Sequence, residues 1–292
     1  MAISAAQVKE LRERTGLGMM ECKAALEESK GDMDAAIDAL RKKAGAKVEK
    51  KAARTAADGA IGLYLSDDRK TAAMVEVNSE TDFVAKDDAF TGFAREVAAL
   101  AAKAKPADVA ALNAAKLSGK GTVEQARAEL VSKFGENMTV RRFARYEGKG
   151  HIGTYLHGRK IGVMVELEGG DETLARDIAM HIAASRPAYV SKDEVPADVI
   201  AKEKEVFSAQ AAQSGKPADI IEKMIGGRIQ KYLNEISLLG QPFVKDPDTT
   251  VEKLLKNAKA KVVRFTRYEV GEGIEKATAD FAAEVMAQVK GG

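Results

Sequence analysis

GAIGLYL at residues 59–65 recurs as GHIGTYL at 150–156, and this recurrence decides how the rest of the chain is read. Working outward, AAMVEV (72–77) is matched by GVMVEL (162–167), and AREVAALAA (94–102) by ARDIAMHIAA (175–184). TVE at 122–124 returns at 250–252, and RFARYE (142–147) returns as RFTRYE (264–269). Self-similarity in a fixed order marks one structural unit used twice. In each copy two runs alternate with the period of 2 that strands show, a helical stretch follows, then more helix, then a third strand. The repeat predicts two similar α+β subdomains.

The copies differ in what they add. Seventeen positions separate Val77 from Ala94, but only eight separate Leu167 from Ala175, so the first copy carries nine extra. These lie in the region of NSETDFVAKDD (78–88), where Phe83 stands among carboxylates and amides. The second copy has its own insertion between the helix ending near Ser185 and the strand at Val262. There Val199, Val206, Ile220, Met224, Ile229, Leu233 and Ile236 make helical stripes around a turn at Ser214-Gly215-Lys216-Pro217, which predicts an antiparallel helical hairpin.

Upstream, the first 45 residues read as three short helices. Ser4 caps a helix carrying Val8 and Leu11 that Thr15-Gly16 ends; Met19, Cys22 and Leu26 share a face; Asp32 caps Ala35 to Leu40. The charged, alanine-rich stretch from Lys42 to Gly59 reads as a linker with some helix. At the other end, Ile274, Thr278, Phe281 and Val285 line one face of a C-terminal helix. The expected division is a three-helix module with linker at 1–54, a first core subdomain at 55–148, a second at 149–187 and 242–270 interrupted by the hairpin at 188–241, and a C-terminal helical module at 271–292.

Composition narrows the function classes. With 292 residues, 45% of them hydrophobic, the chain can bury a sizeable core in two or three domains. A net charge of +2 is too near balance to predict a polyanionic partner. The single cysteine, Cys22, excludes an internal disulfide and a cysteine-rich zinc site. The opening MAISAAQVKELRERTGL lacks the apolar segment of a signal peptide, and no run approaches the roughly 18 apolar residues of a membrane span, so a cytoplasmic protein without membrane contact is expected.

Enzyme motifs are weak. GKGHIG (148–153) fits G-x-G-x-x-G but leads into a strand pattern rather than the helix that pyrophosphate binding requires, and reads as a flexible junction between the repeats. SGK at 118–120 and 214–216 lacks the full phosphate-loop pattern, so direct nucleotide binding is not expected. His151, His157 and His181 show no recognised metal spacing. No catalytic residue, cofactor or metal is assigned.

Two long segments carry a resemblance. LRERTGLGMMECKAAL (11–26) and EVNSETDFVAK (76–86) closely resemble the two signatures of bacterial elongation factor Ts, and SLLGQPFV (237–244) and RYEVGEGIEK (267–276) are similar to that family too. The similarity spans the chain in the family's order. It implies an α+β fold with an N-terminal three-helix, ubiquitin-associated-like module, a duplicated core of two three-stranded antiparallel subdomains, the helical hairpin, and a C-terminal helix. It also implies a translation factor that exchanges guanine nucleotide on elongation factor Tu without covalent chemistry of its own. In the family an aspartate-phenylalanine pair intrudes between helices of the GTPase and disturbs its Mg²⁺ site. By resemblance that pair is Asp82 and Phe83, with Thr81 and Val84 shaping the loop. Partner contacts are implied for Arg12, Met19, Met20 and Lys23, for the His157-Gly158 turn, and for the C-terminal helix.

Plainer readings stand beside these. Phe83 can fold back over its own subdomain, since aromatic residues are more often buried than exposed. Asp82 can cap the following helix. Adjacent Met19 and Met20 cannot both face inward on a helix, so one is expected buried and one available. Cys22 is expected to be a small buried residue. A nucleic-acid reading would use Lys42, Lys43, Lys47, Lys50, Lys51 and Arg54, although Glu49 interrupts that run and no aromatic lies near for base stacking; no nucleic acid is expected. The hairpin at 188–241 offers a route to a homodimer.

Overall fold

A computed structural model describes residues 3–212 and 217–275. The expected turn residues Ser214, Gly215 and Lys216, and the face Thr278, Phe281 and Val285, lie outside the described residues. The described chain divides into two compact units, one made of 3–62, 75–143 and 269–275, the other of 63–74 and 144–268.

In the first unit, α1 (Ala5–Thr15) begins at a capping box in which Ser4 and Gln7 exchange side-chain and backbone hydrogen bonds. After Gly16 come α2 (Met19–Glu28) and α3 (Met33–Lys51), the latter capped by Asp32 accepting from the Ala35 N–H at 3.0 Å. Leu11, Cys22, Leu26 and Leu40 form the centre of this module, and Cys22 is buried there as expected. The segment read as linker from Lys42 is helical as far as Lys51. No proline interrupts it, and alanine, lysine and glutamate are good helix formers. Helix α3 lies along α7 (Val123–Phe134), where Arg41 pairs with Glu129 at 3.1 Å and Lys51 donates to the Gly135 carbonyl.

Strands β1 (Asp58–Leu65) and β2 (Thr71–Ser79) are followed by the short α4 (Asp82–Lys86) and by α5 (Asp88–Ala104). Then come α6 (Val109–Ala114) and a small ladder, β3 (Lys116–Leu117) with β4 (Gly121–Thr122), which encloses the SGK of 118–120 in its turn. Helix α7 leads into β5 (Met138–Glu147), and the sheet order is β1-β2-β5. Helix α5 buries Phe90, Phe93, Val97 and Ala101 at helical spacing.

The second copy repeats the plan. Strands β6 (His151–His157) and β7 (Ile161–Glu168) pair antiparallel from His151↔Leu167 to His157↔Ile161. Helix α8 (Glu172–Ser185) packs on them; after the hairpin helices α9 (Ala197–Ala212) and α10 (Ala218–Ile236) come β8 (Pro242–Phe243), β9 (Asp246–Thr250), α11 (Val251–Asn257) and β10 (Lys261–Glu269). The sheet order is β10-β7-β6, again with the second strand of the copy in the centre. Val163, Val165 and Leu167 meet Ile178, Ile182 and Leu255 in its core. The GKGHIG junction, read as flexible, is tied to Lys70, whose ammonium donates to the Lys149 and Gly150 carbonyls at 2.6 and 3.1 Å.

The duplication holds at the level of atoms. Gly62 and Gly153 are matched positions, and a Cβ on either would fall 1.9 Å from the Ala94 carbonyl oxygen or 2.3 Å from that of Ala175, themselves matched. Only glycine permits that helix-to-strand approach. Thr122 and Thr250 cap α7 and α11 alike. Glu76 pairs with Arg142 at 2.5 Å, and its counterpart Glu166 with Arg264 at 2.8 Å.

The hairpin is less covered than its stripes suggest. Phe207 and Tyr232 meet edge to face at 6.5 Å and Leu233 is buried, but Val206 and Ile220 are each 42% exposed. A two-helix hairpin gives each helix a single neighbour, so half of a wide apolar stripe stays uncovered. At its root, buried His181 accepts from the Val244 N–H on Nδ1 at 3.2 Å, which leaves Nε2–H to donate to the Gln241 side-chain oxygen at 2.9 Å. Burial holds this imidazole below its usual pKa, with the Gln241 bond opposing. It is a core histidine.

Candidate functional site

The nine added positions become a platform for one aromatic ring. Central strand β2 is buried along 72–79, and the chain leaves it at Glu80. Thr81 caps α4, accepting from the Val84 N–H at 3.4 Å, and Asp87 then caps α5 by accepting from the Ala89 N–H at 2.8 Å. Two caps six residues apart isolate a five-residue helix. Val84 and Ala85 face the core, so Phe83 is turned outward and is 80% exposed. Lys86 bridges the flank of this helix, 2.5 Å from Asp82 Oδ2 and 5.7 Å from the centre of the Phe83 ring.

Beneath α4, sequence reading missed two carboxylates. Glu136, between α7 and β5, accepts from both the N–H and the hydroxyl of Thr81, at 3.1 and 2.7 Å. Glu80 accepts from the Asn137 N–H at 2.5 Å and stands 3.6 Å from Arg54. A signal existed in the repeat. Counting back from RFARYE and RFTRYE, Glu136 corresponds to Ala258, so the carboxylate occurs only in the copy with the added segment.

A second group gathers on the N-terminal module. Arg12, Met19, Met20 and Lys23 line one groove of ≈ 530 Å³ with Val8 and Ile3. Both methionines are exposed, Met19 at 60% and Met20 at 74%, so the expectation that one would be buried fails. Cys22, Ala25 and Leu26 satisfy the inward face of the short α2, and Met19, one turn before Cys22, lies past the end of the core it was expected to join. The groove has an apolar floor and cationic rims from Arg12 and Lys23.

His157 and Gly158 form the exposed turn between β6 and β7 in the second unit, where the Tyr155 hydroxyl lies 3.3 Å from His157 Nδ1 and Gly158 has φ +58°. Thus the first unit holds Phe83 and the groove, and the second unit holds the turn; Phe83 lines no part of the groove.

The carboxylate of Glu76, fully buried in β2, joins the tail to the first unit. It receives Arg141 at 3.1 Å, Arg142 at 2.5 Å and the Gly271 N–H at 2.8 Å. Burial pushes its pKa up, but the Gly271 amide, Asn78 and Arg142 outweigh that and leave it below the ordinary carboxylate value. Among the described residues, no group of three or more His, Cys, Asp or Glu side chains could hold a metal ion, and no helix is long and apolar enough to cross a membrane.

A family sequence model described as "Elongation factor TS" matches residues 80–272. Proteins named elongation factor Ts from Thioalkalivibrio sulfidiphilus and Alkalilimnicola ehrlichii are 62% and 60% identical to this chain over 100% of both sequences. One from Methylococcus capsulatus is 59% identical over 99% of both.

Proposed function

The chain belongs to the elongation factor Ts family of translation elongation, and from that premise we propose that it binds GDP-loaded elongation factor Tu and promotes release of the nucleotide. A GTPase holds GDP partly through Mg²⁺ bridging phosphate oxygens and protein ligands, so shifting the ion or the phosphate loop weakens binding. In this reading Phe83, led by Asp82 and shaped by Thr81 and Val84, enters an apolar gap of the GTPase next to the metal site. The observation that carries it is the 80% exposure of Phe83 on a helix whose neighbours Val84 and Ala85 are anchored.

Magnitudes require more than the ring. Burying a phenylalanine is worth about 1.5–3 kcal/mol, whereas inverting a 1:99 conformational equilibrium takes about 5.5 kcal/mol of differential binding. The remainder is assigned to the groove of Arg12, Met19, Met20 and Lys23, whose methionines offer adaptable apolar contact, and to the His157-Gly158 turn. By linkage, a factor that weakens nucleotide binding is itself released when nucleotide returns. No covalent step is needed. The basic stretch supports a protein partner over nucleic acid, because Lys43 pairs with Glu28 at 2.8 Å, Arg54 with Glu80, and Lys51 with the Gly135 carbonyl.

The test follows release of labelled GDP from elongation factor Tu. Phe83→Ala should slow stimulated release about 10- to 100-fold, the burial energy converted at about 1.4 kcal/mol per tenfold. Melting should shift little, because the ring is exposed. Equal rates for variant and parent refute the wedge.

A further inference from the structure

The two carboxylates beneath α4 form a reciprocal clamp. Glu136 takes both donors of Thr81, and Glu80 takes the backbone N–H of Asn137, whose side-chain amide in turn donates to the Arg54 carbonyl at 2.7 Å. Each strand of the clamp therefore supplies both a carboxylate and the backbone N–H that the other side's carboxylate receives. In the second copy the positions of Glu80 and Glu136 are Gly170 and Ala258. There the chain turns directly into α8 with no projecting helix.

Resting on the exchange-factor reading above, we infer that Glu136 is a positioning residue that holds the Phe83 helix ready before the partner arrives. The Thr81 hydroxyl has one proton and two lone pairs. By taking the proton, Glu136 leaves a lone pair aimed at the Val84 N–H, which is the capping bond that starts α4. Bonds to an ionised acceptor are roughly twice as strong as neutral ones. A helix of five residues cannot sustain itself in water, so its orientation depends on that cap and on Val84 and Ala85 beneath it. Ordering the wedge in advance removes an entropic cost from the insertion of the ring that follows docking through the groove.

The test compares Glu136→Ala, Glu136→Gln and Thr81→Val in the full chain. Backbone hydrogen exchange of the free protein over residues 81–86 should quicken at least about 10-fold in Glu136→Ala. Glu136→Gln, which keeps one acceptor oxygen, should restore part of the protection, and Thr81→Val should resemble Glu136→Ala. With elongation factor Tu·GDP, Glu136→Ala should lower the maximal stimulated release rate about 5- to 10-fold, while the concentration giving half the effect stays unchanged because the groove is intact. Unaltered exchange at 81–86, or faster exchange with parental release rates, overturns the inference. So does loss of protection throughout the unit, which would mark Glu136 as a general stabiliser. If the parent chain itself fails to stimulate GDP release, the exchange-factor reading falls, and hydrogen exchange alone still decides whether the clamp holds α4.

Discussion

The same junction is built twice in this chain, once as 78–88 and once as 168–171, and the two solutions differ in kind. In the second copy two glycines carry the chain from β7 into α8 so tightly that a Cβ on Gly169 would fall 2.3 Å from the Lys259 carbonyl oxygen. Backbone packs on backbone, and nothing projects. In the first copy Glu80 and Thr81 engage Glu136 and Asn137 through side chains, which opens room for an extra turn of helix and turns Phe83 to solvent. An unmodified copy beside an elaborated one shows what the fold requires. What remains after subtraction, the nine positions and their clamp, is the part not needed to hold a sheet and helix together.

Erasing the difference should have the largest effect. A chimera in which residues 78–93 are replaced by 168–174 restores the short connection, and it should lower GDP release to the intrinsic rate of elongation factor Tu. Circular dichroism should still report the sheets and helices, although loss of buried Phe90 lowers the melting temperature. Stimulated release by such a chimera would place the activity elsewhere than the added segment.

The next comparison is Glu76 against Glu166. Glu76 is wholly buried under two guanidinium groups and an amide, while Glu166 meets Arg264, which is 45% exposed. Glu76→Gln should cost about 3 kcal/mol, the range for breaking a buried pair, and Glu166→Gln should cost less, because its buried carboxylate meets one guanidinium that is itself half exposed, both read from denaturant unfolding. Because the Gly271 amide, Asn78 and Arg142 hold the folded pKa of Glu76 below the ordinary carboxylate value, its contribution is present above that ordinary value and is lost as pH falls from there through the folded value. The parent should therefore lose stability more steeply below that pH than Glu76→Gln does. Parallel acid profiles would remove Glu76 as the cause.

The smallest effect concerns the matched caps. Thr122→Ala breaks a full capping box at α7 and should cost about 1 kcal/mol; Thr250→Ala, with a single bond at 3.3 Å to the Lys253 N–H, should cost somewhat less. A larger loss at Thr250 would show that the two copies do not share their local energetics.

Much of the fold was legible because repeats and helix stripes are local signals. The repeated strings gave the order of strands and helices, and Ser4, Gly16 and Asp32 marked real helix ends. Helices α9 and α10 formed where their stripes predicted, but the stripes overstated burial, because periodicity says which residues share a face and not whether anything covers it. Met19 failed for the same reason. It shares a face with Cys22 and Leu26 yet lies beyond the module's core. Within the candidate site, Asp82 and Phe83 were visible as an oddity in an added segment, while for Glu80 and Glu136 the repeat shows only that the second copy lacks them, and not the partner some 55 positions away that each engages.

By itself the sequence determined that one α+β unit is used twice, that the first copy carries nine extra residues around an aromatic, and which family the chain resembles. Those are properties of order and spacing along the chain. Only the tertiary structure decided that Phe83 faces solvent, that both methionines line an open groove, and that Glu136 and Glu80 grip the base of the projecting helix. Exposure and pairing depend on what long-range folding brings alongside a residue, and no local period encodes that.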